Sequence, residues 1–273
     1  MTFSKCIASC LVALFLCSCD NEQYVLAFNT ENVPSQTYHL ESSLNSFVTD
    51  SAEGRGESMK TELEVRAYNN LLTAYDDGSA KFELKVDSVS YKSDKRTVEE
   101  FRDMERMIAT ENFQYKMAKD GMITSTVFED SLAMGEALDV ARLLLKVQPI
   151  LPGKPVKVGE SWERSVEIPG KSRNTVVYKS FSLQDQYVHD GFQMAKIDMF
   201  LKYKESPDTT SGIRMESRDF ILGEGTFLFN MTQGVIVYVD MKLTGDLKMS
   251  DIVSDASIPD MHVVQKIKLR SET

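Results

Sequence analysis

The stretch Ala195-Lys-Ile-Asp-Met-Phe-Leu-Lys-Tyr203 decides the fold, because apolar and polar side chains alternate along it. All of its odd-numbered residues are apolar or aromatic, and apart from Phe200 the residues between them are charged. Successive side chains of a β-strand point to opposite faces, so this pattern is typical of a strand with one face on a core. It favours an antiparallel sheet, in which one face is buried and the other is solvated.

The same period of two recurs along most of the chain. It is found at residues 38–44, 63–67, 82–86, 113–117, 123–127, 162–168, 175–183, 226–231, 235–243 and 263–269. Glycine-containing turns follow or separate several of these segments, at residues 76–78, 119–121, 189–191 and 232–234. Asp-Gly between two alternating runs is a strong hairpin signal. The sequence therefore predicts a mainly β fold with a large curved antiparallel sheet or an incomplete β-barrel.

Two segments depart from this pattern. In residues 131–147 apolar side chains recur at helical spacing over a wide face, which predicts one largely buried helix against the concave face of the sheet. Asp130 or Ser131 can cap its start, and prolines from Pro149 onward prevent its continuation. Residues 97–109 fit a second, short amphipathic helix or a structured loop.

The N-terminus reads as a lipoprotein signal peptide. Lys5 is followed by a nearly uninterrupted apolar run at 6–16 and by small residues up to Cys19. The apolar run is too short for a transmembrane helix, which needs about 20 apolar residues. We interpret residues 1–18 as a cleaved signal peptide and Cys19 as the lipidation site; an ordinary signal peptide cut elsewhere is the alternative.

The cysteines support a soluble body tethered to a membrane. All four lie in the leader or at its end, at Cys6, Cys10, Cys17 and Cys19. The body therefore has no disulfide, no thiol nucleophile and no cysteine-based metal site. Two acyl chains such as palmitate on Cys19 would hold the protein stably on a lipid membrane.

The domain organisation follows from these features. Residues 19–35 are predicted to form the lipidated N-terminus and a tether, and residues 36–273 a single mainly β domain. A diverged duplication into two similar halves, joined near residues 149–159, is an open alternative. The predicted location is the bacterial cell envelope, on the periplasmic face or at the cell surface.

Charge argues against nucleic acid as a partner. Removal of residues 1–18, which hold one lysine and no acid, leaves 255 residues with a net charge of −11. Binding to phosphates depends on clustered Lys and Arg side chains, and the longest basic cluster here is Lys95-Arg96.

No recognisable catalytic or cofactor motif is present. The chain has three histidines, and none has neighbours at the spacing of a metal site or a catalytic triad. Gly223-Glu224-Gly225 is followed by strand periodicity instead of a helix, so we expect a bulge or tight hairpin there and not a dinucleotide loop. Adjacent carboxylates such as Asp76-Asp77 are typical of solvated turns. No cofactor, metal or catalytic residue is assigned.

The segment Pro155-Val-Lys-Val-Gly-Glu-Ser-Trp162 resembles a family of uncharacterised bacterial lipoproteins with a P-V-x-V-G-[DE]-x-W strand opening. The hairpin that contains Phe227, Phe229 and Gly234 is similar in style. The resemblance implies an envelope location and no assigned activity. In architecture the chain is also similar to periplasmic lipoprotein carriers, whose curved open sheets cover a helix and hold acyl chains.

We therefore expect a non-catalytic role in binding a hydrophobic small molecule or an envelope protein. Trp162, Met199, Leu201 and Phe227 are the candidate ligand-lining residues, although each would serve equally well in a core. One alternative is an envelope hydrolase that uses carboxylates from separate strands. Another is a structural or interaction protein that docks a partner at a sheet edge.

Overall fold

A computed structural model describes residues 22–31, 35–49, 56–95, 97–109, 112–128, 140–168, 175–205, 213–216, 221–251 and 260–272. The predicted signal peptide and Cys19 lie outside these residues. So do residues 131–139 of the helix predicted at 131–147, together with both of its candidate caps.

The described residues form twelve strands and two helices. The strands are β1 Gln36–Thr49, β2 Gly56–Ala74, β3 Ala80–Ser93, β4 Asn112–Met117, β5 Ile123–Phe128, β6 Ser161–Ile168, β7 Thr175–His189, β8 Phe192–Glu205, β9 Ile213–Glu216, β10 Leu222–Asn230, β11 Val235–Asp251 and β12 Asp260–Glu272. The helices are α1 Val98–Ala109 and α2 Val140–Val147.

Eleven strands form one antiparallel sheet that is not closed into a barrel, which confirms the predicted fold class. The strand order is β5-β4-β3-β2-β1-β12-β11-β10-β8-β7-β6, and β9 pairs with the end of β11. The N-terminal strands β1–β5 and the later strands β6–β12 meet where β1 pairs with β12, from Thr37–Glu272 to Thr49–Asp260. The two edge strands, β5 and β6, are consecutive in the chain. The open side of the sheet therefore lies between these two strands.

Alternation along the strands builds a continuous core on the concave face. One row of laterally paired, buried side chains crosses the sheet through Val65, Leu40, Leu269, Val239, Phe227, Ile197 and Leu183. The alternating stretch in β8 is confirmed as a strand, because all five odd-numbered residues from Ala195 to Tyr203 are buried. Burial of apolar surface contributes about 25 cal/mol per Å², so such rows supply most of the driving force for folding.

Both predicted helices are present in the described residues. Residues 98–109 form a helix, α1, and not a structured loop. The helix begins with a capping box. The Glu100 carboxylate accepts from the backbone N–H of Thr97 (2.8 Å), and Thr97 Oγ1 accepts from the backbone N–H of Glu100 (3.4 Å). Phe101 of α1 packs edge-on against Tyr91 of β3, with ring centroids 5.8 Å apart. The C-terminal half of the helix predicted at 131–147 is α2, which is buried as expected.

Four hairpin turns lie at one end of the sheet, at residues 75–79, 118–122, 190–191 and 231–234; we call this the turn end. Residues 24–30, here named the strap, cross it before the chain enters β1. Tyr24 and Val156 exchange two backbone hydrogen bonds. Beyond them the strap reaches three of the turns: Phe28 N donates to Lys119 O (2.7 Å), Asn29 N to Gly234 O (2.9 Å) and Thr30 Oγ1 to Gly78 O (2.8 Å). Because Leu26, Phe28 and Thr30 are buried, the chain is packed from Tyr24 to Thr30, well inside the stretch assigned to the tether.

One local prediction is wrong. Residues 223–225 form neither a bulge nor a hairpin but lie in β10, where the backbone pairs regularly with β8 and β11. The glycines are needed for space on the crowded concave face: a Cβ at Gly225 would lie 2.4 Å from the carbonyl oxygen of Asp240. The short strand β9 was also not predicted.

Candidate functional site

The candidate site is the contact between α2 and the concave face of the sheet. Val140, Leu143, Leu145 and Val147 of the helix are all buried. A helix of this length is marginal on its own in water, so tertiary packing supplies its stability. The helix and the sheet therefore stabilise each other over the interior of the molecule.

Two small adjoining cavities lie in this interior. One, of about 30 Å³, is walled by Leu144 and Val147 of α2 and by sheet residues that include Leu84, Phe113 and Leu269. The other, of about 20 Å³, lies nearer the strap. Each is large enough for a water molecule but far below the roughly 300–1,000 Å³ of a ligand pocket. Among the described residues, these two spaces leave the contact between α2 and the sheet nearly filled.

The two cavities share polar side chains at their junction. Tyr38, Tyr115 and Gln148 line both cavities together with the apolar Ile236. The hydroxyl of Tyr38 donates to Gln36, and that of Tyr115 donates to Asn69 Oδ1 (3.0 Å). Burial raises the pKa of both tyrosines well above the ordinary value. The site is therefore apolar with a few fixed, uncharged polar groups, a composition typical of pockets for largely apolar ligands.

Lys179 of β7 holds the C-terminal end of α2. Its side chain is buried, and its Nζ donates to three backbone carbonyls, those of Leu145 (3.1 Å), Lys146 (3.3 Å) and Gln148 (2.7 Å). The last carbonyls of a helix lack partners within the helix and carry its negative dipole end, so a lysine satisfies them. Burial lowers the pKa of Lys179 to about 7, whereas the three acceptors act in the opposite direction by favouring the charged form.

The residues predicted to line a ligand site lie on this concave face, within the packed core. Trp162 stacks on Phe181 with a centroid distance of 5.4 Å, and Phe181 meets Phe227 edge-on at 6.2 Å. Met199 pairs laterally with Phe181, and Leu201 pairs with Lys179 in the next row. Trp162 also donates from Nε1 to the carbonyl of Ile150 (2.7 Å), three residues after the end of α2. The four residues are thus brought together, while other side chains line the two cavities.

Sequence reasoning missed Lys179 and the polar junction. A signal for Lys179 was present, because it shares the buried phase of β7 with Val177, Phe181 and Leu183. A lysine in an otherwise apolar phase indicates a buried cation that needs acceptors. No comparable signal marks Tyr115 or Gln148, since their partners come from distant segments.

A wider depression, of about 380 Å³, lies on the opposite, outer face. It is lined mainly by outward-facing residues of β6, β7 and β8, among them Glu163, Tyr178, Phe200 and Lys202. Its floor is formed by the strands themselves. Lys179, whose side chain holds the end of α2, also contributes to its lining.

The described carboxylates give no support to the predicted hydrolase alternative. No Asp or Glu is buried among the residues whose side-chain burial the structure describes, and no three His, Cys, Asp or Glu of the described residues are placed as metal ligands. Hydrogen bonds from Ser79 lower the pKa of Asp77 to about 2, which keeps it ionised in an exposed turn. A catalytic acid of a glycosidase-like pair would instead need a raised pKa. Glu129 and Asp130 lie outside the described residues.

The chain is similar to known proteins in structure and not in sequence. No protein-family model matches the chain, and no match is found among curated proteins. In structure the chain is similar to lipovitellin, from a study of its lipid–protein interactions, with a TM-score of 0.50 and 10% sequence identity. The likeness covers 89% of this chain and 26% of lipovitellin, so the chain spans about a quarter of that protein, and at this identity it concerns the fold alone.

Two further similar structures have lower scores. An exported protein from Bacteroides fragilis with a YmcC-like fold has a TM-score of 0.25 at 9% identity, over 92% of this chain and all of the other. DynF of the dynemicin biosynthesis pathway from Micromonospora chersina has 0.23 at 8%, over 91% and 84%. Scores this low carry no conclusion. Neither helix in the described part of the chain is long and apolar enough to span a membrane.

Proposed function

We propose that this protein is a bacterial envelope lipoprotein, anchored through acylated Cys19, that binds a hydrophobic ligand between α2 and the concave face of its open sheet. The observation that carries the proposal is the pair of cavities under α2, with apolar walls and a few uncharged polar groups. The lipoprotein signal supports the location. The fold likeness to lipovitellin, a protein studied for its lipid–protein interactions, supports a lipid as the ligand class.

Ligand binding requires α2 to move. The cavities now hold about 20 and 30 Å³, whereas an acyl chain needs a pocket at least several times larger. Displacement of the helix would join the two cavities and expose apolar side chains such as Phe113 and Leu269. The open side of the sheet, between β5 and β6, lets the helix move without breaking a strand pair. The packed position of α2 is therefore the closed state of the proposed binding protein.

The first test is a lipid titration that uses Trp162 as reporter. This residue is the only tryptophan, and its indole is hydrogen-bonded to Ile150 just beyond α2. We expect saturable binding of a fatty acid or lysophospholipid to shift its emission, and native mass spectrometry of gently extracted protein to show co-purified lipid. An unchanged emission spectrum together with a lipid-free mass would contradict the proposal.

A matched pair of lysine variants tests the role of α2. Lys179→Met removes three hydrogen bonds from the end of α2 and keeps an unbranched apolar side chain in the core. Lys196→Met makes the same substitution on the exposed face of β8. We expect only Lys179→Met to change the lipid affinity, by roughly 5–30-fold when it is measured above about pH 8, where the buried amine carries no charge to desolvate and its loss destabilises the closed state by about 1–2 kcal/mol. Equal affinities for both variants would mean that the ligand does not displace α2.

A further inference from the structure

We infer that the turn end of the sheet is a membrane-contacting surface, with exposed apolar side chains that enter the interfacial region of a phospholipid bilayer. The inference rests on the anchoring part of the proposed function and extends it from an attachment point to an orientation of the body. Two separate observations lead to it: the position where the chain leaves the packed body, and the distribution of exposed apolar side chains.

The chain leaves the packed body at Tyr24, where the strap that crosses the turn end begins. Tyr24, the first residue with a backbone pair to the body, is bonded to Val156, and the strap beyond it runs over the hairpin turns. Only four residues lie between Cys19 and Tyr24, so five residue-to-residue steps join them, and an extended chain spans at most about 3.6 Å per step. An acylated Cys19 thus lies within about 18 Å of Tyr24, at the start of the strap.

The far end of the sheet is out of reach of this connection. The 14 residues of β1 extend about 46 Å away from the turn end at roughly 3.3 Å per residue. A connection of about 18 Å cannot bring that end to the membrane while Cys19 is inserted. The anchor therefore leaves the turn end, or a side of the body next to it, facing the lipid.

Exposed apolar side chains are concentrated at the turn end. Of the eleven large apolar residues that are exposed in the described ranges, five lie in the strap or beside the hairpin turns of the turn end: Val25, Leu72, Tyr75, Val188 and Phe192. The most exposed are Val188 (68%), beside the β7–β8 turn, and Val25 (66%), in the strap. Val158 lies two residues after Val156, the pairing partner of Tyr24, so it flanks the point of exit. Such side chains on turn tips gain free energy by entering a lipid interface.

The charges at this end favour a neutral lipid surface over an anionic one. Several ions pair locally, such as Lys119 with Glu31 (3.0 Å) and Lys116 with Asp77 (3.3 Å), whereas Asp76 and Asp190 add exposed negative charge. The mature chain is also acidic overall. Contact is thus driven by apolar side chains and not by attraction to anionic head groups.

Single-cysteine labelling of the full lipoprotein tests the orientation. If Cys19 is acylated, Val25→Cys and Val188→Cys each introduce a unique free thiol at the turn end, and Phe47→Cys and Phe200→Cys do so at exposed apolar positions elsewhere. The labelled proteins are reconstituted in phosphatidylcholine vesicles that contain a lipid with a nitroxide on its head group. We expect quenching at positions 25 and 188 to be roughly five-fold stronger than at 47 and 200.

The outcomes separate the anchor from the orientation. Protein that does not float with the vesicles has no lipid anchor, which overturns both proposals about the membrane. Protein that floats but shows equal quenching at all four positions, or stronger quenching at 47, overturns the orientation alone. Labels at 25 and 188 that are shielded from an aqueous quencher but not quenched by the lipid would place a protein on this surface and also overturn it. Quenching confined to 25 and 188 supports the inference.

Discussion

At the residue scale, Lys179 has the clearest energetic consequence. Its burial lowers its pKa to about 7, while in the unfolded chain the pKa is close to 10.4. Between these two values the unfolded state binds more protons than the folded state, so the free energy of unfolding rises with pH. Below about pH 7 both states are protonated, and the full desolvation cost opposes folding.

Lys179→Met should therefore remove a pH dependence. We expect the free energy of unfolding of the unmodified protein to rise by about 3 kcal/mol more than that of Lys179→Met between pH 7 and pH 10. The measurement is urea denaturation at several pH values, and Lys196→Met serves as the control, since its lysine is exposed. Parallel curves for Lys179→Met and the unmodified protein would contradict the lowered pKa of Lys179.

At the element scale, the capping box of α1 joins a local sequence signal to a measurable stability. The Thr97 side chain accepts from the N–H of Glu100, and the carboxylate of Glu100 returns to the N–H of Thr97. We expect Thr97→Ala to lower the free energy of unfolding by about 1 kcal/mol, whereas Thr97→Ser keeps the oxygen and most of the stability. Urea denaturation of both variants checks this, and an equal loss in the two would mean that the cap contributes nothing.

At the scale of the whole molecule, the β1–β12 pairing makes one folding unit of the two halves. Leu269 of β12 is buried between Leu40 of β1 and Val239 of β11, within the row of core side chains that crosses the sheet. We expect Leu269→Ala to cost about 2–5 kcal/mol and to shift the unfolding midpoint equally for Trp162 fluorescence and for far-UV circular dichroism. Two separate transitions would instead indicate halves that unfold independently.

The sequence predicts the local part of this architecture well, because strand alternation and Asp-Gly turns are read within ten residues. The strand order is not encoded in that way, since the pairing of β1 with β12 joins segments more than 200 residues apart. The same distance effect hides the candidate site: the cavities combine Tyr38, Tyr115 and Leu144 from three separate segments. The apolar character of residues 24–28 is visible in the sequence, but no periodicity shows that it packs on the turns.

The strap also has a mechanical consequence. Any pull on the N-terminus first meets the bonds of residues 24–30 to Val156 and to three hairpin turns, before tension reaches β1. Without that arrangement, tension would separate β1 from β12 one residue pair at a time. This pairing joins the two halves of the sheet. The strap therefore distributes force from the point of attachment over the hairpin turns. The pairing between β1 and β12 then carries little of that force.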